Sequence, residues 1–113
     1  MLKIYHNPRC SKSRECLAFF DDSKQPYEIV KYLENTPTPD ELVDIIKKLG
    51  IPPIDLVRQK ENIWIESYKD KDLTDNEIIE AMIKHPILIE RPIVANGDRA
   101  IIARPIERAS EIM

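Results

Sequence analysis

A strand, a helix and a second strand fit within the first 32 residues, and this spacing constrains the fold more than any other feature of the chain. Residues 2–5 read as a short strand. The polar stretch His6-Asn7-Pro8-Arg9-Cys10-Ser11 follows it. Residues 11 to about 22 read as a helix, with Leu17 and Phe20 on one face and Cys16 adjoining it. Residues 27–32 are rich in strand formers and read as the second strand. A strand, a crossover helix and a strand in about 30 residues form a βαβ unit, expected to be parallel and right-handed.

The middle of the chain is helical in pattern. Thr38-Pro39-Asp40-Glu41 is a capping box with proline at the first helical position, and Leu42, Val43, Ile45, Ile46 and Leu49 follow at helical spacing. Gly50 reads as the residue that ends this helix. Pro52-Pro53 opens a shorter helix through Ile54, Leu56 and Val57. Thr74-Asp75-Asn76-Glu77 is a second capping box, and His85-Pro86 stops the helix it starts, because a residue before proline avoids the α region. Residues 93–95 and 99–103 flank Asn96-Gly97 as a hairpin, and residues 106–113 can form a short helix. The expected architecture is α/β: a mixed sheet with helices, in one domain spanning 1–113, with residues 36–86 as a helical insert.

Composition narrows the function. With 42% apolar and 33% charged residues, a packed core is expected and disorder is not. The net charge of −3 argues against a nucleic-acid partner. No apolar run approaches the ~18–20 residues that span a bilayer, and the N-terminus has no apolar signal core, so no membrane association and a cytoplasmic location are expected. The two glycines both have structural readings, which excludes a glycine-rich phosphate loop. Two cysteines are too few for a disulfide scaffold. Cys10 and Cys16 form no CxxC pair, and His6 and His85 are far apart in sequence, so no metal site is expected.

Cys10 sits where strand one turns into helix one. Free amides and the positive dipole end at a helix N-terminus stabilise an anion, and a cysteine there can have its pKa lowered to about 3.5–7.5. Arg9, Lys12 and Arg14 add positive charge. The same features bind oxyanions. A nucleophilic thiolate acting on an anionic or disulfide substrate is the chemistry suggested. Cys16, mid-helix beside the apolar face, reads as a small core residue. Six positions along a helix turn through about 600°, so it points away from Cys10.

The loop His6-Asn7-Pro8-Arg9-Cys10-Ser11-Lys12-Ser13-Arg14 resembles the active-site loop of the glutaredoxin-linked arsenate reductase (ArsC-like) family. The likeness continues in Leu56-Val57-Arg58, in the stretch from His85-Pro86-Ile87-Leu88 through Arg91-Pro92-Ile93-Val94, and in Ala103-Arg104-Pro105. The resemblance implies a thioredoxin-like fold with a four-stranded mixed sheet, flanking helices and a helical insert. It implies a cis peptide bond before Pro92, beside the nucleophile. It also implies that Arg58, Arg91 and Arg104 converge on the thiolate and the oxyanion, a task suited to the forked, permanently charged guanidinium. His6, Ser13 and Arg14 are supporting residues of the loop: His6 tunes the thiolate or holds the loop's shape, and Ser13 offers the thiolate a hydrogen bond.

The activity implied is reduction of arsenate to arsenite through Cys10 alone, with no bound cofactor. Glutathione is the implied cosubstrate, and glutaredoxin the partner that resolves the mixed species. Better-known members carry Gly-Thr after the cysteine; the Ser11-Lys12 pair places this chain in a subgroup with a Cys-Ser-Lys-Ser-Arg loop. Two alternatives share the fold. One is an Spx-like redox regulator that binds RNA polymerase, which typically has a CxxC pair where this chain has Ser13. The other is a glutaredoxin-like thiol-transferase.

Overall fold

The structure, a computed structural model, describes residues 2–24, 26–104 and 106–112. Pro105 of the Arg104-Pro105 motif and the final residue of the expected C-terminal helix, Met113, lie outside the described residues. The chain divides into two compact units, Met1–Asn35 with Arg91–Met113, and Thr36–Glu90.

The first unit holds strands β1 (Leu2–Tyr5), β2 (Tyr27–Val30), β3 (Ile93–Asn96) and β4 (Arg99–Ile102) in the order β2-β1-β3-β4. β1 and β2 are parallel, as a βαβ unit requires, and β3 is antiparallel to both β1 and β4. Helix α1 (Ser11–Asp22) and a 3₁₀ helix at Ile106–Ile112 supply Cys16, Phe20 and Ile112 to a core shared with Leu2, Ile4, Val94 and Ala103. Burying a side chain the size of Phe20 contributes ~1.5–3 kcal/mol. This is the thioredoxin-like mixed sheet that the motif implied.

Local physics moves the end of β2, the hairpin loop and the buried face of α1. β2 ends at Val30, not residue 32: the Val30 carbonyl accepts from the His6 N–H (2.8 Å), and the next carbonyl, of Lys31, already accepts from Glu34 and Asn35 in a turn. The hairpin loop is Gly97-Asp98, one residue later than expected, because Asn96 pairs with Arg99. Gly97, at φ +62°, takes the first central position, where a two-residue turn matching strand twist needs positive φ. The buried face of α1 runs through Ser13, Cys16 and Phe20, and Leu17 is half-buried. That face includes a serine because its hydroxyl has a hydrogen-bonding role in the loop before the helix.

The second unit is helical: α2 (Pro39–Leu49), a 3₁₀ turn (Pro53–Leu56), α3 (Asn62–Ser67), α4 (Asp75–Lys84) and a 3₁₀ turn (Pro86–Leu88). Both capping boxes form as the sequence predicts, at Thr38/Glu41 and Thr74/Glu77. Gly50 ends α2 with φ +68°, the left-handed conformation that glycine adopts most cheaply. α3 is absent from the sequence reading; its buried Trp64 stacks on Tyr68, with ring centroids 5.3 Å apart. Residues 56–58 and 88–90 are tied by an antiparallel bridge, Val57 to Ile89. Its flanking bonds run from the Arg58 N–H to Leu88 O (2.7 Å) and from the Glu90 N–H to Leu56 O (2.8 Å). Among the described residues, no helix is long and apolar enough to cross a membrane.

Candidate active site

Sheet register decides which residues meet. Tyr5, the last residue of β1, pairs with Ile93, the first of β3, and Ile93 pairs with Ile102, the last of β4. The loop after β1, residues 91–92 before β3 and residues 103–104 after β4 therefore emerge at one end of the sheet. Cys10, Arg91, Pro92 and Arg104 all belong to these segments. The Ala103 N–H donates to Pro92 O (2.9 Å) and fastens two of them together.

The loop between β1 and α1 is fixed by its own polar groups. Asn7 Oδ1 accepts from the Arg9 N–H (3.0 Å), and Asn7 O accepts from the Cys10 N–H (3.0 Å). The Asn7 N–H points to Ser13 Oγ (3.4 Å), and Arg14 Nη1 donates to Pro8 O (2.9 Å). Cys10 thus becomes the N-cap of α1, with extended backbone (φ −96°, ψ 123°), and its carbonyl accepts the first helical bond, from Arg14 at 3.1 Å.

Cys10 is 8% exposed. Burial is the largest influence on its ionisation and pushes its pKa up. Against it act the backbone amides of Ser13 and Lys12, then the Arg91 guanidinium, which both hydrogen-bonds the sulfur and lends it charge. The net result lies below the ordinary thiol value. Cys10 makes no capping hydrogen bond of conventional geometry, so the two amides act on the sulfur chiefly as dipoles. Cys16 is the opposite case: it is fully buried, and burial pushes its pKa up to about 12. Both cysteines are free thiols.

The remaining residues singled out from the sequence fall into place unevenly. His6 is 4% exposed, and its pKa is lowered first by burial and then by the Lys31 and Arg14 charges, which favours neutral imidazole. Ser13 serves the sulfur through its backbone N–H, while its hydroxyl accepts from Asn7. Arg14 braces the loop through Pro8. Pro92 is buried behind a cis peptide bond from Arg91. Arg104 is exposed just beyond β4. Arg58 lies in the second unit, where Nη1 meets Glu61 (2.8 Å) and the Ile87 carbonyl (3.4 Å), and Nε lies 3.9 Å from Glu90. The sequence reading missed Asn7, whose turn-forming role the Asn7-Pro8 dipeptide signals, and the acidic partners of Arg58.

A family model described as the ArsC family matches residues 5–112. An arsenate reductase from Haemophilus influenzae is 44% identical, over 97% of this chain and 97% of its own length. The uncharacterized protein YfgD of Escherichia coli is 43% identical, over 99% of this chain and 96% of its own. A solved structure of an arsenate reductase from Vibrio cholerae superposes with a TM-score of 0.94 at 40% identity, covering 99% of this chain and 97% of that one.

Proposed function

The chain belongs to the ArsC family, and from that premise we propose that it is an arsenate reductase in which Cys10 is the only protein thiol that reacts. The observation that carries this reading is the Cys10 sulfur held between the first amides of α1 and the Arg91 guanidinium, an arrangement that favours its thiolate.

The thiolate attacks arsenic(V), an As–S bond forms and an arsenate oxygen leaves as water after protonation. Arsenic is still pentavalent at this point. A glutathione thiolate then attacks the Cys10 sulfur; the As–S bond breaks, its electron pair stays on arsenic, and arsenite leaves. Cys10 is left disulfide-bonded to glutathione, and glutaredoxin attacks the glutathione sulfur to return the Cys10 thiolate. The raised pKa and full burial of Cys16 support an external thiol as reductant. Arg91 and Arg104 are the oxyanion ligands of this scheme, as forked donors to a tetrahedral anion. Its setting is the reducing cytoplasm, where glutathione is available.

The test is NADPH oxidation coupled through glutathione reductase, with glutathione, glutaredoxin and arsenate. Arsenate-dependent turnover that vanishes in Cys10→Ser is the expected result. No arsenate-dependent turnover, with rapid turnover of a glutathionylated substrate, would reassign the site to thiol transfer.

A further inference from the structure

Cys10 supplies one of the two sulfurs that a two-electron reduction needs. Cys16 is 0% exposed and cannot supply the other. The second thiol comes from solution and requires a place beside the Cys10 loop.

One cavity of about 250 Å³ adjoins that loop. Pro8 and Arg9 line it from one side of the sequence, Lys31, Leu33 and Glu34 from the segment after β2, and His6 contributes as well. Arg9 is the residue next to Cys10, and adjacent Cα atoms are ~3.8 Å apart. Arg9, Lys31 and Glu34 make no ion pair or side-chain hydrogen bond with a described residue. His6 is almost wholly buried, yet its Nδ1 has no hydrogen-bond partner among the described residues. Leu33, 38% exposed, adds an apolar surface. Two cations and one carboxylate, uncommitted and lining one small cavity, complement a ligand that carries two carboxylates and one ammonium group.

We propose that this cavity is the subsite for the thiol cosubstrate, a zwitterionic peptide thiol with the constitution of glutathione. Its carboxylates face Arg9 and Lys31, its ammonium group faces Glu34, and its thiol is directed toward Cys10. The assignment rests on the reading of Cys10 as the reactive thiol, and arsenate has no part in its test.

The test uses the full chain and glutathione disulfide. The Cys10 thiolate attacks one sulfur, the disulfide bond breaks, Cys10 becomes bonded to glutathione, and a glutathione thiolate leaves with the electron pair. The second-order rate is followed by intact mass in the parent, Lys31→Gln and Glu34→Gln, with uncharged bis(2-hydroxyethyl) disulfide as comparator. Both variants are expected to react about two- to fivefold more slowly with glutathione disulfide and at the parental rate with the uncharged disulfide. Glu34→Gln is the decisive variant. It makes the cavity more positive, so simple attraction of the anionic disulfide would speed the reaction, whereas loss of an ammonium partner slows it. A faster Glu34→Gln reaction, no change in either variant, or equal slowing with both disulfides would overturn the subsite. Any of these results leaves arsenate reduction standing, and a failure to turn over arsenate leaves the subsite standing.

Discussion

The Arg91 guanidinium helps hold the Cys10 pKa below the ordinary thiol value, although the whole of Thr36–Glu90 lies between them in sequence. The Tyr5–Ile93 pairing brings them to the same end of the sheet. The cation that favours the thiolate is thus placed by strand register, while the amides that assist it come from the thiolate's own helix.

Arg91→Ala is expected to raise the Cys10 pKa and to lower kcat/KM for arsenate. Losing one charge-assisted hydrogen bond worth about 1.5–3 kcal/mol predicts a loss of about 10–150-fold if the bond persists in the transition state. Arg91→Lys should recover the pKa better than the turnover, since it keeps the charge and loses the fork. Arg108→Ala is the control, because Arg108 pairs at the surface with Glu111 (3.3 Å). Steady-state kinetics of the three variants check this; a defect in Arg108→Ala equal to that in Arg91→Ala would contradict it.

The two thiols should separate cleanly. Cys10→Ser is expected to abolish arsenate turnover, and Cys16→Ser to keep most of it, since Cys16 lies buried in the core with a raised pKa. The same coupled assay measures both. Equal losses would point to an internal disulfide in the cycle.

Cys16 also predicts an alkaline instability. Its folded pKa, about 12, is above the ~8.5 of an unfolded thiol, so the unfolded chain releases this proton first. Stability from this group is complete below about pH 8.5 and falls as pH rises toward 12, by at most ~1.4 kcal/mol per pH unit. Cys10 acts in the opposite sense, because its folded pKa is lowered: its contribution is complete above about pH 8.5 and is lost as pH falls through the folded value. Urea unfolding at several alkaline pH values should therefore show a shallower decline in Cys16→Ala than in the parent. Identical slopes would rule out Cys16 as the source.

Features encoded within a few residues were legible in the sequence. The two capping boxes, the Gly50 terminus and the presence of four strands along the chain required only local patterns. α3 escaped notice because its N-cap, Glu61, makes no side-chain cap bond and its six residues depend on burial of Trp64. The hairpin loop was displaced by one residue because strand register, which the dipeptide alone does not fix, places Asn96 opposite Arg99. At the site, Cys10 was legible from its position at a strand-to-helix junction. The influence of Arg91 on Cys10 was reached only through family likeness, since it depends on pairing between distant strands. The contact of Arg58 with Glu61 has the i,i+3 spacing visible in sequence, whereas its approach to Glu90 depends on the Val57–Ile89 bridge.

The pH dependence of Cys10 alkylation tests the central claim most directly, with Cys16→Ser as the background so that a single thiol reports. The rate of reaction with iodoacetamide should rise through an inflection clearly below pH 8.5, and the inflection should move upward when Arg91→Ala is added. An inflection at or above pH 8.5 in the Cys16→Ser protein, unmoved by Arg91→Ala, would contradict a thiolate held by the α1 amides and Arg91.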